Sequence, residues 1–488
     1  MSDAARIGHG FLFPIAHRTD FPLLEQNGFD RPAGGGSRFA HTFRTVRVVV
    51  FLNGKVHART GALLSLLFMG LGQIYNRQFV KGILYALLEL YVLIFWTKPF
   101  LDAMRGLITL GDTPQQRNAR GAIIVQGDHS IILMITGIIF LLLFVLFLAV
   151  YAINVRDAWK VGRGRDEGRK PRSFAQSVAH AWEQGFAYIL LTPAFVFVLF
   201  TIVLPIIFGI LIAFTNYSGP NHLPPKNLVD WVGFETFTSL IRFRAWSNTF
   251  VGVLIWTIVW ATLATFTTYF VGLFYALLLN HRAVKFKKFW RTLFILPWAV
   301  PGIISLLIFR NLFNGEFGPI NQYLKLMGLA PIPWFSDPFW AKFAIVMVNL
   351  WFGFPYWMAL MSGVLTNIDR ELYEAAEIDG ANGFQRFRSI TLPLILFSTS
   401  PLLIMSFAHN FNNFNMIYLF TSGGPANPSY SYAGSTDILI SWIYKLTLEQ
   451  NKFNMASVVS IFIFIVVASF SIWNFRRTRA FKEEDMIQ

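Results

Sequence analysis

The chain has 488 residues, of which 55% are hydrophobic and 14% charged, against about 25% charged in ordinary soluble domains. The apolar residues form runs of bilayer-spanning length, about 20 residues each, which excludes a soluble protein, while the short alternating segments of a transmembrane β-barrel are absent. The formal net charge of +15 does not point to nucleic acid, because Lys and Arg gather at the ends of the apolar runs, as the positive-inside bias requires. The fold class is therefore all-α, a polytopic membrane protein.

In chain order, residues 1–58 are compositionally mixed, with Gly34-Gly35-Gly36 and scattered arginines, and do not read as a cleavable signal peptide. Gly61 to Tyr75 is apolar but short and ends in GLGQIYNRQ. Spans follow at about 80–98, 131–155, 186–215, 247–280, 289–313, 340–366, 391–421 and 453–475, eight in all. Glu89 falls near the middle of the first span, where pairing with a neighbouring helix is its plainest role.

Charge sets the orientation. The connector 156–185 carries Arg156, Lys160, Arg163, Arg165, Arg169, Lys170 and Arg172, and the connector 281–291 carries Arg282, Lys285, Lys287, Lys288 and Arg291. The tail carries Arg476, Arg477, Arg479 and Lys482. With eight spans all three lie on one side, the cytoplasmic one, together with both termini. A ninth crossing at Gly61–Tyr75 would expel the arginine-bearing N-terminus, so this stretch is expected to be an interfacial or re-entrant hairpin. The outward loops are then about 99–130, 216–246, 314–339 and 422–452, none large enough for an independent domain.

One cytoplasmic loop is unusual. Glu374 to Pro393, EAAEIDGANGFQRFRSITLP, is a polar island between two apolar runs. Asp369 can cap a helix whose first turns hold Glu371 and Glu374, Gly380 can end it in the left-handed conformation, and Asn382-Gly383 supplies a second bend. Such a helix suits docking into a groove on a soluble partner or lying on lipid; its acidic start disfavours lipid.

Two polar stripes flank the island. Ser406, Asn410 and Asn413 recur at i, i+4 and i+7, with His409 beside them. Asn349, Phe352, Gly353 and Tyr356 form the second. Polar groups at bilayer depth must face protein or a water-filled cavity. Amides beside aromatic faces fit a carbohydrate; equally, Asn, Ser and Gly serve as glue between helices. Pro205, Pro297, Pro301, Pro355 and Pro401 sit in or beside spans and can kink them.

The spacing Glu374-Ala375-Ala376, three residues, Gly380, nine residues, Ile390-x-Leu392-Pro393 resembles the EAA motif of ABC-importer permeases, and Ser406 to Pro425 resembles the larger-subunit type that carries maltose or maltodextrin. The resemblance runs from about Phe186 to the C-terminus, less specifically before it. It implies a type I importer transmembrane domain: an N-terminal extension 1–58, a membrane region 59–185 holding the hairpin and two spans, a six-span core 186–476 with coupling loop 369–393, and a tail 477–488. It implies that Glu374, Ala375, Ala376, Asp379, Gly380 and Gly383 dock on the ATPase. Phe352, Gly353, Tyr356, Ser406, Asn410 and Asn413 would then line a mid-membrane sugar site. His409 stands where the best-known pattern has a phenylalanine, which puts a stacking contact in question. Residues 216–246 are also far shorter than the folded external domain of enterobacterial relatives.

The implied partners are a second homologous permease, two ATP-binding subunits and an extracellular solute-binding protein, all at the bacterial cytoplasmic membrane. The chain has no phosphate loop, so it carries no cofactor itself; ATP and Mg belong to the partner subunits. It has no cysteine for a thiolate metal site and no HExxH signature. The competing readings are the same architecture for another glycan or a sugar phosphate, and an integral-membrane glycosyl- or lipid-modifying enzyme. The latter needs clustered acids, His or Arg at one membrane face, and none has convincing spacing.

Overall fold

A computed structural model of the chain describes residues 56–223, 227–281 and 283–475. The tail 477–488 and all but the last three residues of the extension 1–58 lie outside them. Among the described residues, six helices are long and apolar enough to cross a bilayer. In order they are α3 (Phe79–Thr109), α4 (Ser130–Asp166), α5 (Phe174–Ile212), α7 (Arg244–Asn280), α11 (Pro338–Thr366) and a run from Gly383 to Thr421. The seventh crossing is a broken pair, α8 (Lys287–Ala299) and α9 (Gly302–Leu312), bent by 91°. The last apolar helix, α16, covers Phe453–Phe475. Each of the eight expected spans thus has a helical counterpart. The shorter elements are α1 (Val56–Leu67), α2 (Leu71–Tyr75), α6 (Glu235–Arg242), α10 (Pro319–Leu326), α12 (Arg370–Ile378), α14 (Phe414–Thr421) and α15 (Leu439–Tyr444). The run from Gly383 to Thr421 comprises a helical turn at Gly383–Arg386, a widened turn at Phe387–Thr391, α13 (Leu392–Phe411) and α14.

Three departures from the sequence expectation have physical causes. First, the helices outrun the bilayer: α4 continues to Asp166 and α5 starts at Phe174, so the basic connector 156–185 is mostly helix. Hydropathy locates the apolar segment, not the hydrogen-bonded ends. Second, span 289–313 is not straight. Pro297 and Pro301 each remove a backbone donor, Val300 between them is extended, and the helix axis turns there. Third, Pro355 leaves α11 unbroken, as Pro401 leaves α13, whereas three other prolines follow a widened turn. Five-residue π turns at Val92–Trp96, Leu199–Val203 and Phe387–Thr391 precede Pro99, Pro205 and Pro393. A proline ring clashes with the carbonyl four residues back, and widening the turn relieves the clash without breaking the span.

The N-terminal hairpin is a polar knot on the membrane region. Gly70 at φ 89° turns the chain between α1 and α2. Asp166 at the end of α4 accepts the His57 and Ala58 amides at 3.0 Å each and so caps α1. Arg165 donates to the Tyr75 carbonyl at 2.8 Å, and Gln73 donates to the Asn154 carbonyl at 2.9 Å. The basic connector 156–185 therefore holds this hairpin in place through Arg165 and Asp166. A Cβ on Gly162 would lie 2.4 Å from the His57 carbonyl oxygen, so only glycine lets α1 seat there. Glu89, unassigned beyond helix pairing, is buried and accepts the Met69 amide at the hairpin tip.

The core proper lies where α7 packs against α11 and α13. Trp260, Tyr269 and Trp357 are fully buried there. Trp260 donates to the Asn410 carbonyl at 2.9 Å and Trp256 to the Thr436 carbonyl at 3.1 Å, so the buried indoles keep partners. The outer faces carry exposed apolar residues such as Leu190, Phe197 and Phe270, the pattern a lipid-facing surface requires.

Two outer loops are organised by carboxylates. Asp128 accepts the Asp112 and Thr113 amides at 2.9 Å, which hold its carboxyl below the usual range. A hairpin of β1 (Gln116–Arg117) and β2 (Ile123–Val125) closes that loop. Asp437, buried between Gly423 and α15, accepts from Lys445 at 2.6 Å, Gly434 at 2.6 Å and Ser441 at 2.8 Å. Burial pushes its carboxyl up, and Lys445 and the hydrogen bonds oppose that.

Candidate functional site: a central cavity and a cytoplasmic coupling loop

A cavity of about 650 Å³ opens between α7, α9, α11 and α13, within the size range of small-molecule sites. All seven residues singled out from the sequence line it: Phe352, Gly353 and Tyr356 from α11, Ser406, His409 and Asn410 from α13, and Asn413. Phe352 stands at the middle of α11, so the cavity lies at mid-membrane depth.

The residues do different things there. Tyr356 is 38% exposed and its ring stacks on Trp298, with centroids 5.9 Å apart and planes 28° from parallel. Trp298 is itself held by donating to the Phe352 carbonyl at 3.2 Å. This pair exists because the Pro297–Pro301 break brings α8 against α11. Asn410 is buried; its amide nitrogen donates to Thr265 of α7 at 3.0 Å. Asn349 likewise donates to the Ala264 carbonyl at 3.4 Å. These two amides therefore act as glue between helices while lining the wall, and among the described residues no protein donor reaches the Asn410 Oδ1. Gly353 permits contact: a Cβ there would lie 2.5 Å from the Thr268 methyl.

The assumed single stripe is corrected at its far end. Asn413 does not share a helix face with Ser406 and Asn410, because α13 ends at Phe411. Asn413 instead caps α14, accepting the Met416 amide at 3.2 Å. Asn side chains compete for local backbone donors, and Asn412-Asn413 ends the helix where a continuous span was expected. The break still leaves Asn413 on the cavity wall. The imidazole of His409 lines the cavity and makes no hydrogen bond among the described residues. Sequence reasoning missed Thr268, Gly302, Met405 and Asn415, which join the lining together with the apolar Ile303, Leu306, Trp357, Leu402 and Met416. The signal for Gly302 was present in the Pro-Gly pair after the break; Thr268 had none, since only the packing of α7 shows which threonines face inward. The lining contains no Asp, Glu, Lys or Arg. A wall of amides, hydroxyls, one imidazole and aromatic faces can hold a polyhydroxyl ligand.

The coupling loop is built by local rules. Asp369 occupies the cap position of α12, yet its side chain makes no capping bond, contrary to expectation. Gly380 takes φ 78°, and the Ala381 amide reaches back to the Ala376 carbonyl at 2.9 Å, closing a Schellman turn. Nothing lies within 4 Å of a Cβ at Gly380, so the need for glycine there is conformational. Asn382 and Gln385 form a reciprocal capping box over the turn that starts at Gly383. Arg386 meets Glu377 at 3.0 Å across the bend, and Tyr373 meets Thr391 at 2.8 Å. Glu374, Ala375 and Asp379 are exposed and Ala376 half-buried, while Ile378 and Phe384 are 87% and 69% exposed. Two apolar knobs on this helix–turn–helix are left exposed by the described residues.

The sequence profile described as "Binding-protein-dependent transport system inner membrane component" matches residues 268–479. The chain is 41% identical over 429 residues to the galactooligosaccharides transport system permease protein GanP of Bacillus subtilis strain 168, covering 88% of this chain and 99% of that one. It is 38% identical over 442 residues to the maltodextrin transport system permease protein MdxF of the same organism, covering 88% and 98%. Identity to the maltose/maltodextrin transport system permease protein MalF of Klebsiella aerogenes is 42%, over 51% of this chain and 49% of that one. A solved bacterial ABC transporter involved in the import of alginate matches with a TM-score of 0.51 at 22% identity, over 62% of this chain and 98% of that one, a likeness of fold. The chain therefore belongs to the family of inner-membrane components of binding-protein-dependent transport systems, and is a multi-pass permease of an ABC importer.

Proposed function

We propose that the chain translocates maltose- or maltodextrin-type oligosaccharides by alternating access through the cavity around Tyr356 and Asn410. The observation that carries this reading is a lining without Asp, Glu, Lys or Arg combined with an exposed, stacked aromatic. Sugar ring faces are apolar and their edges are hydroxyls, so Tyr356 meets one and the Ser406, Asn410 and Asn413 side chains the other. A sugar phosphate finds no Lys or Arg in this wall, and burying an unpaired anion is costly. Glucan-handling relatives such as MdxF support the assignment. A galacto-oligosaccharide is the second reading, favoured by the 41% identity to GanP.

In this scheme a second permease pairs with the chain, an external solute-binding protein delivers the sugar, and two ATP-binding subunits drive closure. ATP and Mg are held in those subunits. Glu374 to Gly383 docks on one of them, with Ile378 and Phe384 as apolar anchors. Both termini lie in the cytoplasm. A cysteine introduced near Gly35 is then labelled from the cytoplasmic side; labelling only from outside refutes the orientation.

The substrate test is uptake in reconstituted transporter with maltose, maltotriose, a galacto-oligosaccharide and an unrelated disaccharide. Glucan uptake lost on Tyr356→Ala, with the assembled complex intact, supports the first reading. Uptake confined to the galacto-oligosaccharide transfers the site to the second. Uptake unaffected by Tyr356→Ala removes the cavity from the path.

A further inference from the structure

Away from the central cavity, a small recess of about 200 Å³ opens where α3 and α5 begin, beside the hairpin. Both helices start on the side that carries the basic connectors. Arg77, Lys81 and Arg172 line the recess, with Gln78 at its back. Lys81 is paired with Asp157 at 2.7 Å, whereas neither Arg77 nor Arg172 has a carboxylate partner among the described residues. The N-terminus of α3 has no side-chain cap, unlike that of α5, where Ser173 and Gln176 form a capping box. The Phe79, Val80 and Lys81 amides at the recess are thus left without helical acceptors.

Gln78 makes the recess more than a basic helix start. It is 7% exposed, and its Nε2 donates to the Arg172 carbonyl at 3.2 Å. That bond fixes the amide orientation, because a carbonyl demands a donor. Its Oε1 is buried without a partner among the described residues. A buried orphan acceptor in a basic recess needs a ligand that carries a hydroxyl or ammonium donor close to an anionic group. Around the mouth, Phe79, Val80, Phe174 and Val178 are exposed and apolar, as acyl chains require.

We propose that this recess binds a phosphate ester bearing an adjacent hydroxyl, supplied by an anionic phospholipid of the phosphatidylglycerol class in the cytoplasmic leaflet. Arg77, Arg172 and the free amides of α3 hold the phosphate, and a headgroup hydroxyl donates to Gln78 Oε1. The two arginines without carboxylate partners favour an anionic headgroup over a zwitterionic one, and choline offers no donor to Gln78. The bound lipid would pin the hairpin and the starts of two spans together.

The test is native mass spectrometry of the assembled transporter extracted from bilayers of phosphatidylglycerol, phosphatidylethanolamine and phosphatidylcholine in equal amounts. Phosphatidylglycerol is expected to be retained over phosphatidylcholine. Arg77→Ala and Arg172→Ala should each lower retention about fivefold. Gln78→Leu should erase the preference for phosphatidylglycerol over its methyl-capped form, which carries the same charge but no headgroup hydroxyl. The Arg77→Lys/Arg172→Lys variant should keep phosphatidylglycerol, which separates charge from folding. Equal retention of all three lipids, preference for phosphatidylethanolamine, or unchanged retention in the alanine variants overturns the proposal. Protection by glycerol 1-phosphate with no lipid retained overturns the lipid source and assigns the same phosphate site to a soluble ester.

Discussion

Gly353→Ala separates packing from recognition in the central cavity. The added Cβ would lie 2.5 Å from the Thr268 Cγ2 and 3.0 Å from its Cβ. Ordinary carbon contacts lie at about 3.5–4.0 Å, so one helix must shift by roughly 1 Å. Thr268 cannot turn aside, because its hydroxyl is held by the Ala264 carbonyl at 2.8 Å and the Thr265 carbonyl at 3.0 Å. Overpacking of this kind costs about 1–3 kcal/mol, and alanine returns about 1 kcal/mol of helix propensity, leaving a net loss of up to about 2 kcal/mol. That loss falls on the seam between α7 and α11, which forms one wall of the cavity. The assay is thermal stability and sugar uptake of the reconstituted transporter for Gly353→Ala, Thr268→Ala and the pair. Thr268→Ala should restore about 1 kcal/mol or more of the stability lost, with uptake following. A Gly353→Ala variant as stable as the native protein, or strictly additive losses in the pair, refutes the close-approach argument. Uptake that stays lost while stability is restored assigns Gly353 to contact with the sugar.

Three other outcomes follow from the same geometry. Gly380→Pro forces φ to about −65° where the chain holds 78°, so uptake and sugar-stimulated ATP hydrolysis should vanish while the external binding protein still binds sugar. Gly380→Ala, which costs about 1–2 kcal/mol in the left-handed region, should give a partial loss, and normal uptake in the proline variant would sink the coupling role. Asn410→Ala removes the 3.0 Å bond to Thr265 and should cost about 0.5–1.5 kcal/mol with assembly preserved and uptake reduced; full uptake would make the amide glue alone. Asp437→Asn strips the 2.6 Å partner from Lys445, whose side chain is 14% exposed, and should cost about 3–5 kcal/mol, seen as faster proteolysis of residues 422–452; an unchanged cleavage rate would mean the loop does not depend on that pair.

The coupling loop was the most legible part of the chain, because its order is local. The left-handed Gly380 and the bend at Asn382-Gly383 answer to neighbours within a few residues. Even so, the capping box between Asn382 and Gln385 went unread, and Asp369 turned out to cap by position alone. The stripe on α13 was half legible: i, i+4 spacing placed Ser406 and Asn410 on one wall, but helical periodicity cannot register a break. Asn413 therefore reached the cavity by a different route.

The amino-acid sequence by itself determined the class of the protein, its apolar spans, the side that carries positive charge and the turn chemistry of the coupling loop. Bilayer length, charge at span ends and backbone conformations such as that of Gly380 depend only on neighbouring residues. Tertiary structure decided the rest. It bent the chain at Pro297–Pro301 to set Trp298 behind Tyr356, tied Asn410 to Thr265 across 145 residues, and gave Glu89 the Met69 amide. It also left Gln78 with a buried oxygen and no donor among the described residues. Each of these joins segments far apart in the chain, and only the packing of one helix on another says which side chains meet.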